Sequence, residues 1–297
     1  MRRRRTDVRG RLTSTSAAKA TPTENRTGPL SRAVARQWVA AWDRQQALYI
    51  PERERRFSVM FDAIESYLPP SFVALDVGCG PGSLSQRLLA RFPQARVVAL
   101  DLDPVLMQLG RRAQLVDPAR TRWVETDLRD PNWTRALPEE RFDAILSTTA
   151  LHWLSPTDLA RTYRILHDLL RPRGLFLNGD SYPYGKGRPI FRHIAYATAQ
   201  RWQYQRVREG DMDWGAWWAK LEQREDLRAL FELRRRRFPK GEHHETTATV
   251  DEQESMLRAA GFLEPTIVWR DFSNGVMMAV RGDGRGTRSK RRAGPPK

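Results

Sequence analysis

The chain predicts an α/β fold, a doubly wound and mostly parallel sheet with helices on both faces. Short apolar runs flanked by turn residues, such as "FVALDV" at 72–77, read as strands buried on both sides. Amphipathic stretches separate them at the spacing of strand–helix repeats. Near the end, "PTIVWRDF" and "GVMMAVR" bracket "SNG", a turn sequence that adds a terminal antiparallel hairpin strand.

Taken in order, Ser31 opens a helix in which Val34, Trp38 and Trp42 recur every fourth residue, opposite Arg36, Gln37 and Arg44, until Pro51 breaks it. A second helix carries Phe57, Met60, Phe61, Ile64 and Leu68 on one stripe and stops at the prolines 69–70. Strand 72–77 follows, then helix "SLSQRLLARF", strand "ARVVALD", helix "PVLMQLGRRAQ" and strands "TRWVET" and "FDAILSTT". "SPTDLARTYRILHDLLRPRG" is a helix with Ser155 as its cap and Pro156 in its first turn. Leu159, Tyr163, Leu166 and Leu170 share one face, and Gly174 closes it. "LFLNGD" is the fifth strand. Residues 181–249 then read as mostly helical, until Thr249 and Glu252 form a capping box and Gly261 ends the last helix.

The expected plan is therefore a basic tail (1–30), an N-terminal helical cap segment (31–70), a core (71–180 and 250–281), a helical insertion (181–249) completing the cap, and a second basic tail (282–297).

A chain of 297 residues with ten tryptophans is long enough for a well-buried core. Its single cysteine, Cys79, excludes a disulfide framework and suits a reducing cytoplasm, the expected location. No run approaches the ~18 apolar residues of a membrane span, and "MRRRR" has no apolar stretch behind it to make a signal peptide. The net charge of +16 sits mostly at the ends: eight Lys/Arg against two acids in residues 1–30, and seven against one in residues 281–297. Such Gly/Ser/Thr/Pro-rich tails are expected to be disordered, and they read as inert ends rather than nucleic-acid contacts. Nothing here sets an oligomeric state.

The chemistry gathers around "ALDVGCGPG" (74–82). A phosphate loop is excluded because no Gly-Lys-Ser/Thr follows. The dinucleotide fingerprint needs a glycine where Ser83 stands. Asp76, two residues before the first glycine, has nothing to offer a pyrophosphate but suits a ligand with ammonium and sulfonium groups. Asp101, about twenty residues on at the end of the second strand, can accept both hydroxyls of a ribose. Leu102 offers a flat base an apolar face, and Asp127 can accept from an exocyclic adenine amine. Together these describe adenosine with a cationic amino-acid tail: S-adenosyl-L-methionine (SAM).

"LDVGCGPG", "VVALDLDPVLM", "ETDL" and "FDAILSTTALHWL", in this order and spacing, resemble the class I SAM-dependent methyltransferases over residues 70–180 and 250–281. "TALHWL" is similar to the trans-aconitate methyltransferase-like branch, although Thr148 stands where that branch commonly has Asn. The resemblance implies a Rossmann-like sheet, SAM as methyl donor and S-adenosyl-L-homocysteine (SAH) as product. It places Asp76, Gly78 and Gly80 around the methionine part, with Cys79 and Gly82 of the same loop also cofactor-binding, Asp101 and Leu102 at the ribose and adenine, Asp127 and Leu128 at the adenine edge, and Thr148 on the far side of the donor.

Methyl transfer from a sulfonium mainly needs an acceptor aligned at ~3 Å, with water excluded. A carboxylate acceptor needs no base; a phenol, alcohol or amine can. His152, after the fourth strand at the carboxyl edge, is the candidate base; the other reading is a structural histidine packed on Trp153. His167, Asp143 and Cys79 read as structural, and His243–His244 lack companions at metal spacing, so no metal is expected. Six tryptophans (38, 42, 202, 214, 217, 218) fall in the N-terminal helices and the insertion. They form either an aromatic-walled acceptor pocket or a small core of their own. Trp38, Trp42, Tyr49, Arg53, Trp153, Tyr182, Tyr184, Trp217 and Trp218 are the substrate candidates, and an arginine near Arg53, Arg55 or Arg56 favours an anionic acceptor. "ELRRRRF" (232–238) reads as a solvated helix face. The expected function is methyl transfer to O or N of a small, aromatic or acidic molecule. Its alternatives are an RNA methyltransferase using the basic tails, and a non-catalytic SAM-binding regulator.

Overall fold

The computed structural model describes residues 29–138, 141–239 and 248–283. Most of both basic tails and His243–His244 lie outside the described residues. A seven-stranded sheet forms from β1 (Val73–Val77), β2 (Arg96–Asp101), β3 (Thr121–Glu125), β4 (Phe142–Thr148), β5 (Leu170–Ser181), β6 (Phe262–Asp271) and β7 (Asn274–Arg281). Its order is β3-β2-β1-β4-β5-β7-β6. The first five strands pair in parallel, whereas β7 runs antiparallel to both β5 and β6. This is the expected fold class, and all five parallel strands present their carboxyl ends along one edge.

Successive side chains leave a strand on opposite faces, which gives the sheet two cores. Val73, Leu75 and Val77 of β1 pack toward α5 (Pro156–Leu169) and α9 (Val250–Ala259). Ala74 of the same strand packs toward α2 (Arg53–Tyr67) and α3 (Ser83–Arg91). A third cluster joins α1 (Arg32–Tyr49), α4 (Pro104–Ala113), α7 (Trp214–Glu222) and α8 (Arg228–Arg237), and it already includes Leu30. α6 (Pro189–Arg208) completes the helices of the insertion. The caps are as expected: Ser31 accepts from the Val34 amide, Ser155 from that of Asp158, and both bonds of the Thr249–Glu252 capping box are present. Among the described residues, no helix is long and apolar enough to cross a membrane.

Two boundaries differ from expectation. α5 ends at Leu169, and Leu170 already pairs with Phe142 as the start of β5. Pro172 disfavours helical geometry in the residue before it, and Arg171 instead donates to Asp143 across a register shift at 2.7 Å. Gly174 therefore lies inside a strand rather than at a helix end. In the terminal hairpin, Asn274 pairs with Asp271, so the turn belongs to Phe272 and Ser273.

Arg56, on α2, is 2 % exposed and crosses the carboxyl ends of β4 and β5 and the amino end of β7. It donates to the Gly179 carbonyl at 2.8 Å, the Asp180 carbonyl at 3.4 Å and Thr148 Oγ1 at 3.3 Å. Two of its nitrogens also donate to Asn274 Oδ1. Burial pushes this guanidinium down to about 10, so it stays charged at neutral pH. The crossing needs a glycine beneath it, because a Cβ on Gly179 would lie 2.5 Å from Arg56 Cδ. Gly179→Ala should therefore destabilise the fold by about 1–3 kcal/mol, the range for overpacking a filled site. Chemical denaturation reads this directly, and unchanged stability would show that Arg56 is free to retreat.

Candidate active site

The loop after β1 holds three glycines in the left-handed region, at φ +70° (Gly78), +55° (Gly80) and +86° (Gly82). At Gly78 space is refused as well, since an added Cβ would sit 2.2 Å from that of Ala150 in the loop after β4. The loop is tied to β2: the amides of Gly78 and Cys79 both donate to the Leu100 carbonyl at 2.9 Å. Asp101 finishes the tie, its Oδ2 accepting from the Gly80 amide and its Oδ1 from the Asp103 amide, each at 2.7 Å. Cys79 is buried in the turn, and burial pushes its thiol well up, which agrees with a packing role.

Asp76 is buried where α3 begins and accepts from Ser85 N and Oγ through Oδ2. Its Oδ1 has no partner among the described residues. Burial pushes Asp76 up to about 7 and Asp101 up to about 6. Neither carboxylate has a basic side chain paired with it among the described residues. A positive ligand fits such a pair, because it restores the ionised form that burial penalises. The residues present thus suit the methionine end of SAM better than any phosphate.

On the adenosine side, Leu102 is half-buried, and Leu128 is partly buried against the core of the α5 face. Asp127 is engaged by Arg129, whose Nη2 lies 2.8 Å from Oδ2. An adenine amine there would share this carboxylate with Arg129. The insertion reaches the same loops. Arg234 stacks 3.7 Å over Trp218 and donates to Asp103 Oδ2 at 2.6 Å. Arg237 donates to the Leu102 carbonyl at 2.8 Å and to Glu125 at 2.6 Å. "ELRRRRF" is therefore not simply a solvated face, since two of its arginines strap α8 across the ends of β2 and β3.

At the other end of the edge, Thr148 lies beside Thr149, whose backbone is held at φ +55°. His152 Nδ1 lies 2.7 Å from Asp180 Oδ1. Asp180 is 2 % exposed, yet His152 and Arg56 hold its carboxyl below the usual range against the opposing effect of burial. Trp153, 43 % exposed, leans on the imidazole with ring centres 5.0 Å apart.

Several substrate candidates are corrected. Arg53 is buried, its guanidinium paired with Asp43 at 3.0 Å and stacked over Phe57, so it is not available to neutralise an acceptor. Tyr182 is fully buried and donates to the Asn178 carbonyl. Trp38, Trp217 and Trp218 form a core with Trp42, with edge-to-face rings 4.9–6.2 Å apart, rather than pocket walls. Trp42 also faces the glycine loop, where a Cβ added to Gly80 would lie 3.9 Å from its Cζ2. Tyr49 bridges α1 to α7 by accepting from the Trp214 amide, and Tyr184 lies under Arg270, against Phe191. Sequence reading passed over Asp180 and Asp43. Asp180 ends a strand at the same edge as Asp101, which was the available signal; Asp43 lies mid-helix and gave none.

Residues 74–174 match the family described as a methyltransferase domain. The chain is 33% identical over 135 residues to trans-aconitate 2-methyltransferase of Azoarcus sp. (strain BH72), covering 45% of this chain and 48% of that protein. It is 30% identical over 114 residues to malonyl-[acyl-carrier protein] O-methyltransferase 1 of Ilyobacter polytropus, covering 37% and 40%. The matches thus span less than half the length of these curated relatives. An assigned O-methyltransferase of Nostoc punctiforme PCC 73102 superposes with a TM-score of 0.52 at 14% identity, over 83% of this chain and 60% of that one. The methyltransferase solved with its activator from Haloferax volcanii superposes at 0.50 and 15% identity, over 84% and 97%. With its sheet order and glycine loop, the chain carries a methyltransferase domain of the SAM-dependent class I kind over residues 74–174.

If a cationic donor seats against the raised carboxyls, its binding depends on pH. In the free protein they favour the neutral acid, so the stability they contribute is present below the ordinary carboxylate range and lost as pH rises through about 6 to 7. A cationic donor favours the ionised acids. SAM affinity should therefore rise between about pH 5 and 8, with net proton release near neutrality, and SAH, lacking the sulfonium, should show less of both. Calorimetry in buffers of different ionisation enthalpy measures this; pH-independent binding would contradict it.

Proposed function

We propose that the protein transfers a methyl group from SAM to an oxygen or nitrogen of a small molecule. The observation that carries this is the pair of buried carboxyls, Asp76 and Asp101, with no basic side chain paired with them among the described residues, at a glycine loop on the carboxyl edge of the sheet. Asp76, Gly78 and Gly80 would hold the methionine part, Asp101 and Leu102 the ribose and adenine, Asp127 and Leu128 the adenine edge, and Thr148 the far side. When bound, SAM supplies an activated methyl on sulfur. The protein's own part is to align the acceptor, exclude water and accept a proton where the acceptor carries one.

His152 and Trp153, beyond β4, would face the acceptor, with Tyr49 and Tyr184 toward the two helical pieces of the cap. By their names, the two relatives are methyltransferases of malonyl-[acyl-carrier protein] and of trans-aconitate. That supports a small-molecule acceptor of the same broad kind for this chain. An RNA substrate is disfavoured because the net positive charge is concentrated in the two tails, and no RNA-binding element is recognisable between them.

Incubating the full chain with methyl-labelled SAM and either a small-molecule panel or total RNA separates these readings. Label is expected in small molecules, at the same rate in a variant lacking residues 1–30 and 282–297. Label appearing in RNA, and lost with the tails, would overturn the proposal.

A further inference from the structure

We propose that α6 is an interfacial anchor that docks the protein on an anionic lipid surface. A helix lying on a globular body normally turns one apolar stripe inward and gives its other face to charged residues. α6 is apolar on both. Inward, Ala195 is buried, and Trp202 donates from Nε1 to the Ala47 carbonyl of α1 at 3.1 Å. Outward, Ile190, Ile194, Arg201, Tyr204 and Arg208 fall on one stripe at helical spacing, with Ile190 72 % and Tyr204 67 % exposed. Every residue from 186 to 194 is exposed, so the start of the helix stands clear of the body on all sides.

A second element presents an apolar tip beside it. Phe272 takes the first position of the β6–β7 turn at φ +48°, a region that favours glycine and strains a bulky residue, and its ring is exposed. Arg270 links this tip to α6. It donates to the Phe272 carbonyl at 2.6 Å and stacks 4.2 Å over Tyr184, whose ring centre lies 5.7 Å from that of Phe191. The charge is one-sided as well. Between Asp180 and Glu209 the chain has six Lys/Arg and no Asp or Glu. Lys186, Arg188 and Arg192 have no ion-pair partner among the described residues.

Exposed apolar side chains among unpaired cations call for an occupant that is negative and apolar at once. A second copy of the chain would set cations against cations. The segments outside the described residues do not serve either: 240–247 reads "KGEHHETT", without one large apolar side chain, and both tails are themselves basic. Nucleic acid offers phosphates and bases that stack on aromatic rings, but it has nothing for Ile190, Ile194 and Val207. An acidic protein would cover one face of a helix whose start is exposed on every side. A bilayer interface supplies both needs. The apolar side chains enter between the headgroups, while arginine stems lie along the apolar surface and their guanidinium groups meet lipid phosphates. Basic residues strengthen such binding where the lipid is anionic. Residues 182–188 alone separate α6 from the end of β5, so docking holds the carboxyl edge of the sheet beside the lipid.

The test is co-sedimentation of the full chain with vesicles of phosphatidylcholine, alone or mixed with phosphatidylglycerol. Binding is expected to the mixed vesicles and should weaken as salt is added. Ile190→Ser with Phe191→Ser, and separately Arg188→Glu with Arg192→Glu, should each lower partitioning at least about tenfold, with thermal unfolding followed by circular dichroism unchanged. The basic tails are drawn to the same vesicles, so a local probe separates the two contributions. Cys79, the single native cysteine, is buried, which leaves a nitrobenzoxadiazole fluorophore on Ile190→Cys as the one label. Its emission should shift to the blue on mixed vesicles and be quenched by spin-labelled acyl chains. No sedimentation with mixed vesicles, partitioning indifferent to both pairs of substitutions, or an unshifted probe would each overturn the proposal. So would binding of RNA or polyglutamate that the serine pair abolishes while vesicles are ignored. Methyl transfer plays no part in these readouts, so their failure leaves the methyltransferase reading standing.

Discussion

The architecture of the candidate site depends on one buried cation. Arg56 lies where α2 crosses the carboxyl ends of β4 and β5 and the amino end of β7, and its donors are taken up by the Gly179 and Asp180 carbonyls, Thr148 and Asn274. A charge buried without such partners costs several kcal/mol, so the partners and the arginine constrain one another. This is why Gly179 is a glycine, why Asn274 belongs to the strand rather than to the turn, and why Asp180 has a fixed backbone from which to reach His152. Thr149, in a left-handed conformation, closes the same corner by donating its amide to the Gly179 carbonyl.

A second anchor does for the glycine loop what Arg56 does for the ends of β4 and β5. Asp43 on α1 accepts from Arg53 of α2, from Ser83 Oγ at 2.6 Å and from Arg87 of α3 at 3.2 Å. Ser83 directly follows the glycine loop, so the N-terminal helices are bolted to the loop they cover. These basic partners hold Asp43 below the usual carboxylate range despite its burial. From the opposite direction, α8 reaches the ends of β2 and β3 through Arg234 and Arg237. The helices outside the sheet are therefore joined to the loops after β1 and β2 by charged hydrogen bonds, and the tryptophan cluster packs behind them.

Much of this was legible in the sequence because it is local. Strand and helix order follows from periodicity, the capping box from Thr249 and Glu252, and the glycine turn from three residues whose backbone few others tolerate. The two buried carboxyls beside it were legible for the same reason, since Asp76 and Asp101 sit at set offsets from that turn. What escaped is what depends on pairing between distant segments. Arg53 and Arg56 look alike in "YIPERERRF", yet one pairs with Asp43 and the other runs under β5. Tyr182 looked like a mouth residue because it follows a strand end, but the hairpin folds back and buries it. Asp180 went unremarked because nothing local distinguishes it from any polar residue closing a strand; His152, 28 residues earlier, gives it its meaning.

The central claim is that the loop after β1 seats a cationic methyl donor rather than a phosphate ligand, and equilibrium binding tests it most directly. Titrating the full chain with SAH, NAD and ATP side by side should give saturable one-site binding for SAH alone, abolished or strongly weakened by Asp101→Asn. Binding of NAD or ATP in preference to SAH, or no SAH binding at all, would contradict the account.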